Sequence, residues 1–199
     1  MNIDTAQFTA LIFDLDGTLI DSMPLHNEAW IKTLQSFGHD LDEKVLYELA
    51  GIPTFDTVKI LNQRYAWSLD PATITHQKES YYLSHLDMVN ANDEILQIAK
   101  DHFQTKPMAI VTGGQSRNVK KVLEALKINY LFDAVICAED TQNPKPSPEP
   151  FLLAARRLIK NPCDCLVFED GESGILGAKA AGMAVIQVVP SFARSENKS

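Results

Sequence analysis

The run Ala10-Leu11-Ile12-Phe13 ends abruptly in Asp14-Leu15-Asp16-Gly17-Thr18, and no other feature constrains this chain as much. Ala10 to Phe13 reads as a buried strand. Side chains alternate along a strand, so Asp14 and Asp16 are expected to leave it on one side, with Leu15 opposite. Two acids crowded at a buried strand end are costly unless a cation sits between them. A hard divalent ion serves, and Mg²⁺ takes oxygen ligands of this kind. The same residues also fit a plain strand followed by an Asp-Gly turn with an incidental acid.

Four further apolar runs read as strands: Pro107 to Val111, Ala134 to Cys137, Cys165 to Phe168 and Ala184 to Val189. Each is nearly continuous, as parallel strands covered on both faces are. Helical patterns precede or separate them, at Asp93 to Phe103, Gln115 to Leu126, Pro148 to Leu158 and Ser173 to Ala181. Alternating strand and helix predicts a doubly wound parallel α/β core. Residues 20–89 break the rhythm. They show no convincing strand, and helical stretches at Pro24 to Phe37, Asp42 to Ala50, Phe55 to Tyr65 and Pro71 to Leu86, punctuated by Gly38, Gly51-Ile52-Pro53 and Asp70-Pro71. The expected organisation is a discontinuous α/β domain, residues 1–19 and 90–199, with an all-helical domain inserted at 20–89. A helical cap over the carboxyl end of the first strand is the simplest arrangement, since ligands in such sheets bind beyond that edge. The polar tail, Pro190 to Ser199, is expected to fray.

Composition narrows the function classes. With 199 residues, 45% apolar and 22% charged, the chain has the balance of a soluble globule. Its net charge of −8 argues against nucleic acid or an anionic membrane as partner. No apolar run approaches the roughly 20 residues of a membrane span. Met1 to Thr9 lacks a basic n-region, and the cysteines, Cys137, Cys163 and Cys165, are odd in number. Both point to reduced thiols and a cytoplasmic location. Cys163-Asp164-Cys165 could form half a metal site, but free thiols are the simpler expectation.

The chemistry gathers at the ends of the predicted strands. Thr112-Gly113-Gly114 offers a hydroxyl, flexible backbone and a helix N-terminus, which suits an anion and equally suits a turn. Lys145 lies in Asn143-Pro144-Lys145-Pro146-Ser147-Pro148, either as a fixed point charge for phosphate or as a solvated lysine on a stiff loop. Glu169 and Asp170 end the fourth of the long strands. Asp170 could instead be a helix N-cap. Adjacent acids on a strand diverge, but a turn beginning at Asp170 could bring both to one ion. Acids, cradle, lysine and acids on one sheet edge describe a Mg²⁺-dependent phosphoryl-transfer site.

In that order, Asp14-Leu15-Asp16-Gly17-Thr18, Thr112-Gly113, Lys145-Pro146 and Glu169-Asp170 resemble the motifs of the haloacid dehalogenase superfamily. The resemblance is specifically to the β-phosphoglucomutase-like phosphatases with a helical cap, and it covers almost the whole chain. It implies a Rossmann-like core with a cap inserted after the first motif. It also implies Asp14 as nucleophile and Asp16 as general acid and base. Mg²⁺ would be held by Asp14, the Asp16 backbone carbonyl and Asp170, with Glu169 as an additional acid. Thr112 and Gly113, next to Gly114, would hold phosphate oxygens, and Lys145 would tether Asp14 to the phosphate. Asp16 disfavours the family's namesake dehalogenation, which needs neither a second aspartate nor magnesium.

The resemblance also frames the substrate. The family's mutases carry an arginine in the cap loop for a distant phosphate. In Gly51-Ile52-Pro53-Thr54-Phe55-Asp56-Thr57, Phe55 stands in its place and no basic residue occurs. The loop, Thr54 included, resembles that of bacterial fructose-1-phosphate phosphatases. His26 and Lys78 match polar cap positions that face the substrate in relatives. Alternatively, Lys78 is a solvated helix lysine and His26 a packing or capping residue. The expected activity is hydrolysis of a small sugar monophosphate by a monomer. A phosphomutase, or a phosphatase of phosphoglycolate or a nucleotide, is the alternative. Ile20 to Met23 and Val89 to Asp93 are expected hinges for cap closure.

Overall fold

The computed structural model describes residues 4–49 and 52–190. The expectations for Ala50, Gly51 and the tail beyond Pro190 lie outside the described residues. The chain divides into two compact units, one of residues 1–21 and 90–199 and one of Ser22–Val89.

In the first unit, β1 (Ala10–Phe13), β4 (Met108–Val111), β5 (Ala134–Ile136), β6 (Cys165–Glu169) and β7 (Ala184–Gln187) form a parallel sheet in the order β5-β4-β1-β6-β7. The chain steps from central β1 to one side and later to the other, which makes β1 the switch point of a doubly wound sheet. Register fixes what meets there. Phe13 lies level with Ile110 of β4 and Phe168 of β6. Asp14 therefore follows β1 beside Glu169, and its N–H donates to the Phe168 carbonyl at 2.9 Å.

The central strands β1, β4 and β6 are buried throughout, which explains their unbroken apolar runs. Ile12, Val111 and Val167 pack on one face against Phe151 and Ala154 of α7 (Glu149–Arg157) and Ala178 of α8 (Glu172–Ala180). Each such side chain contributes about 2 kcal/mol by leaving water. Phe13 stacks on Phe168 at 4.9 Å and meets the edge of Phe132 at 5.9 Å. The sheet's helices also include α5 (Asp93–His102) and α6 (Ser116–Ala125), within two residues of their expected ends.

One pairing was absent from the expectation. β2 (Ile20–Asp21) and β3 (Asn90–Ala91) form an antiparallel ladder, Ile20 opposite Ala91 and Asp21 opposite Asn90. Asn92 N–H donates to the Leu19 carbonyl at 2.9 Å beside it. Two-residue strands carry no periodicity for a sequence to display. The segments expected as hinges thus include paired backbone, and the helical unit runs 22–89 rather than 20–89.

The second unit holds α1 (Met23–Ser36), α2 (Glu43–Glu48), α3 (Thr54–Tyr65) and α4 (Pro71–Ser84). Leu34, Leu46, Val58, Leu61 and Ile74 form its apolar centre. Asp70 starts α4 as expected of Asp-Pro: its carboxylate accepts from Thr73 N–H at 2.8 Å. Gly38 follows α1 at φ +79°, a conformation open to glycine at little cost. The last expected helix is interrupted: α4 stops at Ser84 and a 3₁₀ turn, Leu86–Met88, follows. His85 stacks on Tyr81 at 4.2 Å, with Nδ1 2.8 Å from the Tyr81 carbonyl oxygen, which occupies one of the last helical acceptors.

Candidate active site

The loops after β1, β4, β5 and β6 bring the predicted residues of the α/β unit to one edge. Lys145 is no solvated lysine. Its Nζ donates to Asp14 Oδ1 at 2.7 Å and to Glu169 Oε2 at 2.6 Å, and it lies 5.5 Å from the Phe151 ring centre. The Lys145 side chain is only 12% exposed, and those of Asp14 and Glu169 are 9% and 4%. Glu169 Oε1 accepts from Gly171 N–H at 3.1 Å, so both oxygens are held.

Asp170 is not an N-cap; Gly171 occupies that position of α8. The Asp170 carboxylate accepts from the Thr18 hydroxyl at 2.8 Å. Gly17, at φ +87°, passes so close that a Cβ there would collide with the same carboxylate. Gly17 and Thr18 therefore shape the seat of Asp170, a role their place in the first motif did not by itself reveal.

Oxygens of Asp14, Glu169 and Asp170 lie within 4.8 Å of one another. The turn after β6 does what strand alternation could not, and brings the adjacent acids Glu169 and Asp170 together. The Asp16 carboxylate is outside this group. Strand pairing ends at Phe13, and Gly17 N–H donates to the Ile20 carbonyl while Ile20 N–H donates to Leu15, so alternation no longer governs where Asp16 points.

Burial pushes the Asp14 carboxyl well above the usual aspartate range; the charge of Glu169 adds to the shift and Lys145 opposes it. Burial pushes Asp170 up to about 6. Burial also works against charge on Lys145, but Asp14 and Glu169 outweigh it and hold the ammonium well above the ordinary lysine range. One ammonium cannot neutralise three carboxylates. The chemistry of the donor set, hard oxygens with an excess of negative charge, fits a divalent cation.

Thr112, 6% exposed, directly follows β4. Its Oγ1 accepts from Gly114 N–H at 3.0 Å, which folds the Thr112-Gly113-Gly114 turn over the hydroxyl. The N-terminus of α6 is partly taken: Ser116 N–H donates to the Glu139 carboxylate at 3.1 and 3.2 Å. That leaves the Thr112-Gly113 turn, rather than the helix end, as the candidate anion cradle. Glu139 escaped the sequence reading because it comes from the loop after β5.

The helical unit has its own polar cluster. Lys78 is 4% exposed, with Nζ 2.9 Å from His26 Nδ1 and 3.2 Å from Glu79 Oε1. A lysine can only donate, so His26 Nδ1 accepts and its ring proton sits on Nε2. His26 stacks on Tyr82 at 4.1 Å, and Nζ lies 5.6 Å from the Tyr82 ring and 5.9 Å from Trp30. The Thr54 hydroxyl donates to Glu79 Oε1 at 3.0 Å. Neither the solvated lysine nor a purely packing His26 survives. Glu79 joins two of the named residues, Thr54 and Lys78, yet gave no sequence signal, because neighbours on a helix do not ordinarily face each other. Phe55 is 44% exposed, and a cation reaches it after all: Lys59 Nζ lies 4.5 Å from its ring centre.

The three thiols are free, Cys137 and Cys165 buried and Cys163 exposed. Burial pushes the Cys165 thiol up to about 11, which leaves it inert. No helix among the described residues is long and apolar enough to cross a membrane.

The family model for haloacid dehalogenase-like hydrolases matches residues 11–188. The fructose-1-phosphate phosphatase YqaB of Escherichia coli K12 is 34% identical over 183 residues, 92% of this chain and 97% of that protein. The crystal structure of β-phosphoglucomutase (pgmB) from Clostridium difficile superposes with a TM-score of 0.80 at 30% identity, covering 95% of this chain and 88% of that one. CbbY from Rhodobacter sphaeroides, crystallised with phosphate, shares the fold with a TM-score of 0.83 at 22% identity, over 94% and 88% of the two chains. The chain belongs to the haloacid dehalogenase-like hydrolases, as an enzyme of the phosphoric monoester hydrolase class.

Proposed function

We propose that the chain is a Mg²⁺-dependent phosphatase of a small sugar phosphate resembling fructose 1-phosphate, working through an aspartyl-phosphate on Asp14. One observation carries the reading: Lys145 bridges Asp14 and Glu169 at 2.7 and 2.6 Å, within a cluster that Asp170 completes. Asp14 attacks phosphorus, and the leaving sugar oxygen takes a proton from Asp16. Asp16 then removes a proton from the water that splits the acyl-phosphate, and Asp14 is regenerated. Thr112 and Gly113, flanked by Gly114, hold phosphate oxygens. Lys145 keeps the Asp14 carboxylate against the incoming phosphate. Mg²⁺, when bound by Asp14, Asp170 and the Asp16 carbonyl with Glu169 beside it, neutralises the charge that would otherwise repel phosphate from Asp14.

Thr54, His26 and Lys78 are assigned to recognition of the sugar, because the hydroxyl, imidazole and ammonium gathered around Glu79 are groups that pair with sugar hydroxyls. The name of the E. coli relative supports fructose 1-phosphate as the type of substrate. The intracellular, monomeric enzyme expected from the sequence is consistent with such a metabolite.

A phosphomutase is the second reading. The β-phosphoglucomutase structure and the Lys59 cation over Phe55 favour it. Phosphate release from a panel of sugar monophosphates, phosphoglycolate and a nucleotide, with Mg²⁺ and with EDTA, tests the proposal. A phosphatase liberates phosphate from fructose 1-phosphate only with the metal. A mutase converts β-glucose 1-phosphate to glucose 6-phosphate with little free phosphate.

A further inference from the structure

The residues that hold Lys145 and Glu169 in place rest on α8 at two glycines. Gly174 lies directly against the Glu169 side chain, and a Cβ there would overlap the carboxylate. Gly177, one turn further along the helix, faces different atoms. A Cβ at Gly177 would stand 2.9 Å from the Ser147 carbonyl oxygen, 3.0 Å from Phe151 Cε2 and 3.2 Å from the Pro146 carbonyl oxygen. The first and last belong to the backbone that carries Lys145. The middle one belongs to the ring beside the Lys145 ammonium. Backbone carbonyls cannot rotate away as a flexible side chain can, so a methyl at Gly177 must move the loop, the ring or the helix.

We propose that Gly174 and Gly177 are positioning residues that act on two different parts of the site: Gly174 sets the Glu169 carboxylate, and Gly177 sets the reach of Lys145. Neither touches a reacting atom. The proposal rests on the reading of Lys145 as the phosphate tether and of Glu169 as part of the metal cluster. It predicts that Mg²⁺ affinity responds more to Gly174 and phosphate affinity more to Gly177. Displacing Glu169 disturbs the cation first and Lys145 only through the Glu169 Oε2 that accepts from it; displacing Lys145 disturbs phosphate first. Residues supporting a metal ligand typically change affinity by about 10- to 100-fold when altered, and a misplacement of about 1 Å at a reacting group can cost about 100-fold.

The test measures the affinities for Mg²⁺ and for inorganic phosphate, both by calorimetry, on the full chain, for Gly174→Ala, Gly177→Ala and Leu176→Ala. Leu176 is on the same helix and 51% exposed. Gly174→Ala is expected to weaken Mg²⁺ binding by about tenfold or more. Gly177→Ala is expected to change Mg²⁺ affinity much less than Gly174→Ala does and to weaken phosphate by about tenfold, with kcat/KM falling in step. Leu176→Ala should change neither. Glu169→Asp shortens the crowded side chain, so adding it to Gly174→Ala should restore folding if the single variant does not fold. The proposal is overturned if both glycine variants match the wild type. It is also overturned if the two constants fall by the same factor in both variants, if Glu169→Asp relieves nothing, or if Gly177→Ala does not fold. Wild-type protein that hydrolyses no phosphomonoester would defeat the phosphatase reading, while the Mg²⁺ and phosphate constants still judge this one.

Discussion

Each unit buries a lysine, and the two are held by different means. Lys145 in the α/β unit lies between carboxylates that issue from neighbouring strands, Asp14 after β1 and Glu169 at the end of β6. Lys78 in the helical unit has one carboxylate partner among the described residues, Glu79, and lies beside the His26 imidazole and the rings of Trp30 and Tyr82. The first setting is rigid, because parallel register fixes both acids. The second depends on side chains from separate helices, α1 and α4. Under the proposed function, chemistry falls to the first cluster and choice of substrate to the second.

Substitutions can break that contrast. The largest effect is expected for Asp14→Asn, which removes the nucleophile and should lower phosphate release by at least about a thousandfold. Steady-state assays with comparable folding by circular dichroism check it, and substantial turnover would remove Asp14 from its role. Lys145→Ala should lower kcat/KM by roughly a hundredfold for every phosphomonoester alike, because it serves the phosphate common to all. Lys78→Ala should lower kcat/KM by about tenfold for sugar phosphates but little for p-nitrophenyl phosphate, whose leaving group offers no hydroxyls. Equal losses on both substrates would erase the distinction between the two lysines.

The smallest effect concerns an ion pair away from the site. Asp140 accepts from the Cys137 N–H at 2.8 Å and pairs with Arg157 at 2.7 Å, and these contacts hold its carboxyl below the usual 3.8. A depressed folded value stabilises the protein above the unfolded value and loses that contribution as pH falls through the folded one. Asp140→Asn should therefore cost about 1 kcal/mol or less near neutral pH. Urea denaturation should show the difference from wild type shrinking as pH falls below the usual aspartate value of about 3.8.

The contrast also explains what could be read from the chain. Asp14, Lys145, Glu169 and Asp170 were legible because each follows or ends an apolar strand, and a doubly wound sheet sends such ends to one edge. The two-residue strands β2 and β3 were not, because pairing that short leaves no pattern. Glu139 was missed because it reaches the start of α6 from a loop after another strand. Glu79 was missed because its partners, Thr54 and Lys78, meet only once α3 and α4 are packed. Gly174 and Gly177 look like ordinary small residues of a helix until the neighbouring atoms are placed. Position along one strand is written locally; contacts between helices are not.

The most direct measurement looks for the covalent link to Asp14. Asp16→Asn slows the water attack that would discharge it, so this variant, mixed with Mg²⁺ and p-nitrophenyl phosphate, whose leaving group needs no proton from Asp16, and quenched in acid, should accumulate phosphoenzyme. Mass spectrometry of its peptides should then find one phosphoryl group on the segment containing Asp14. Phosphate release with an unmodified chain throughout, or a phosphoryl group on a different segment, would contradict the account.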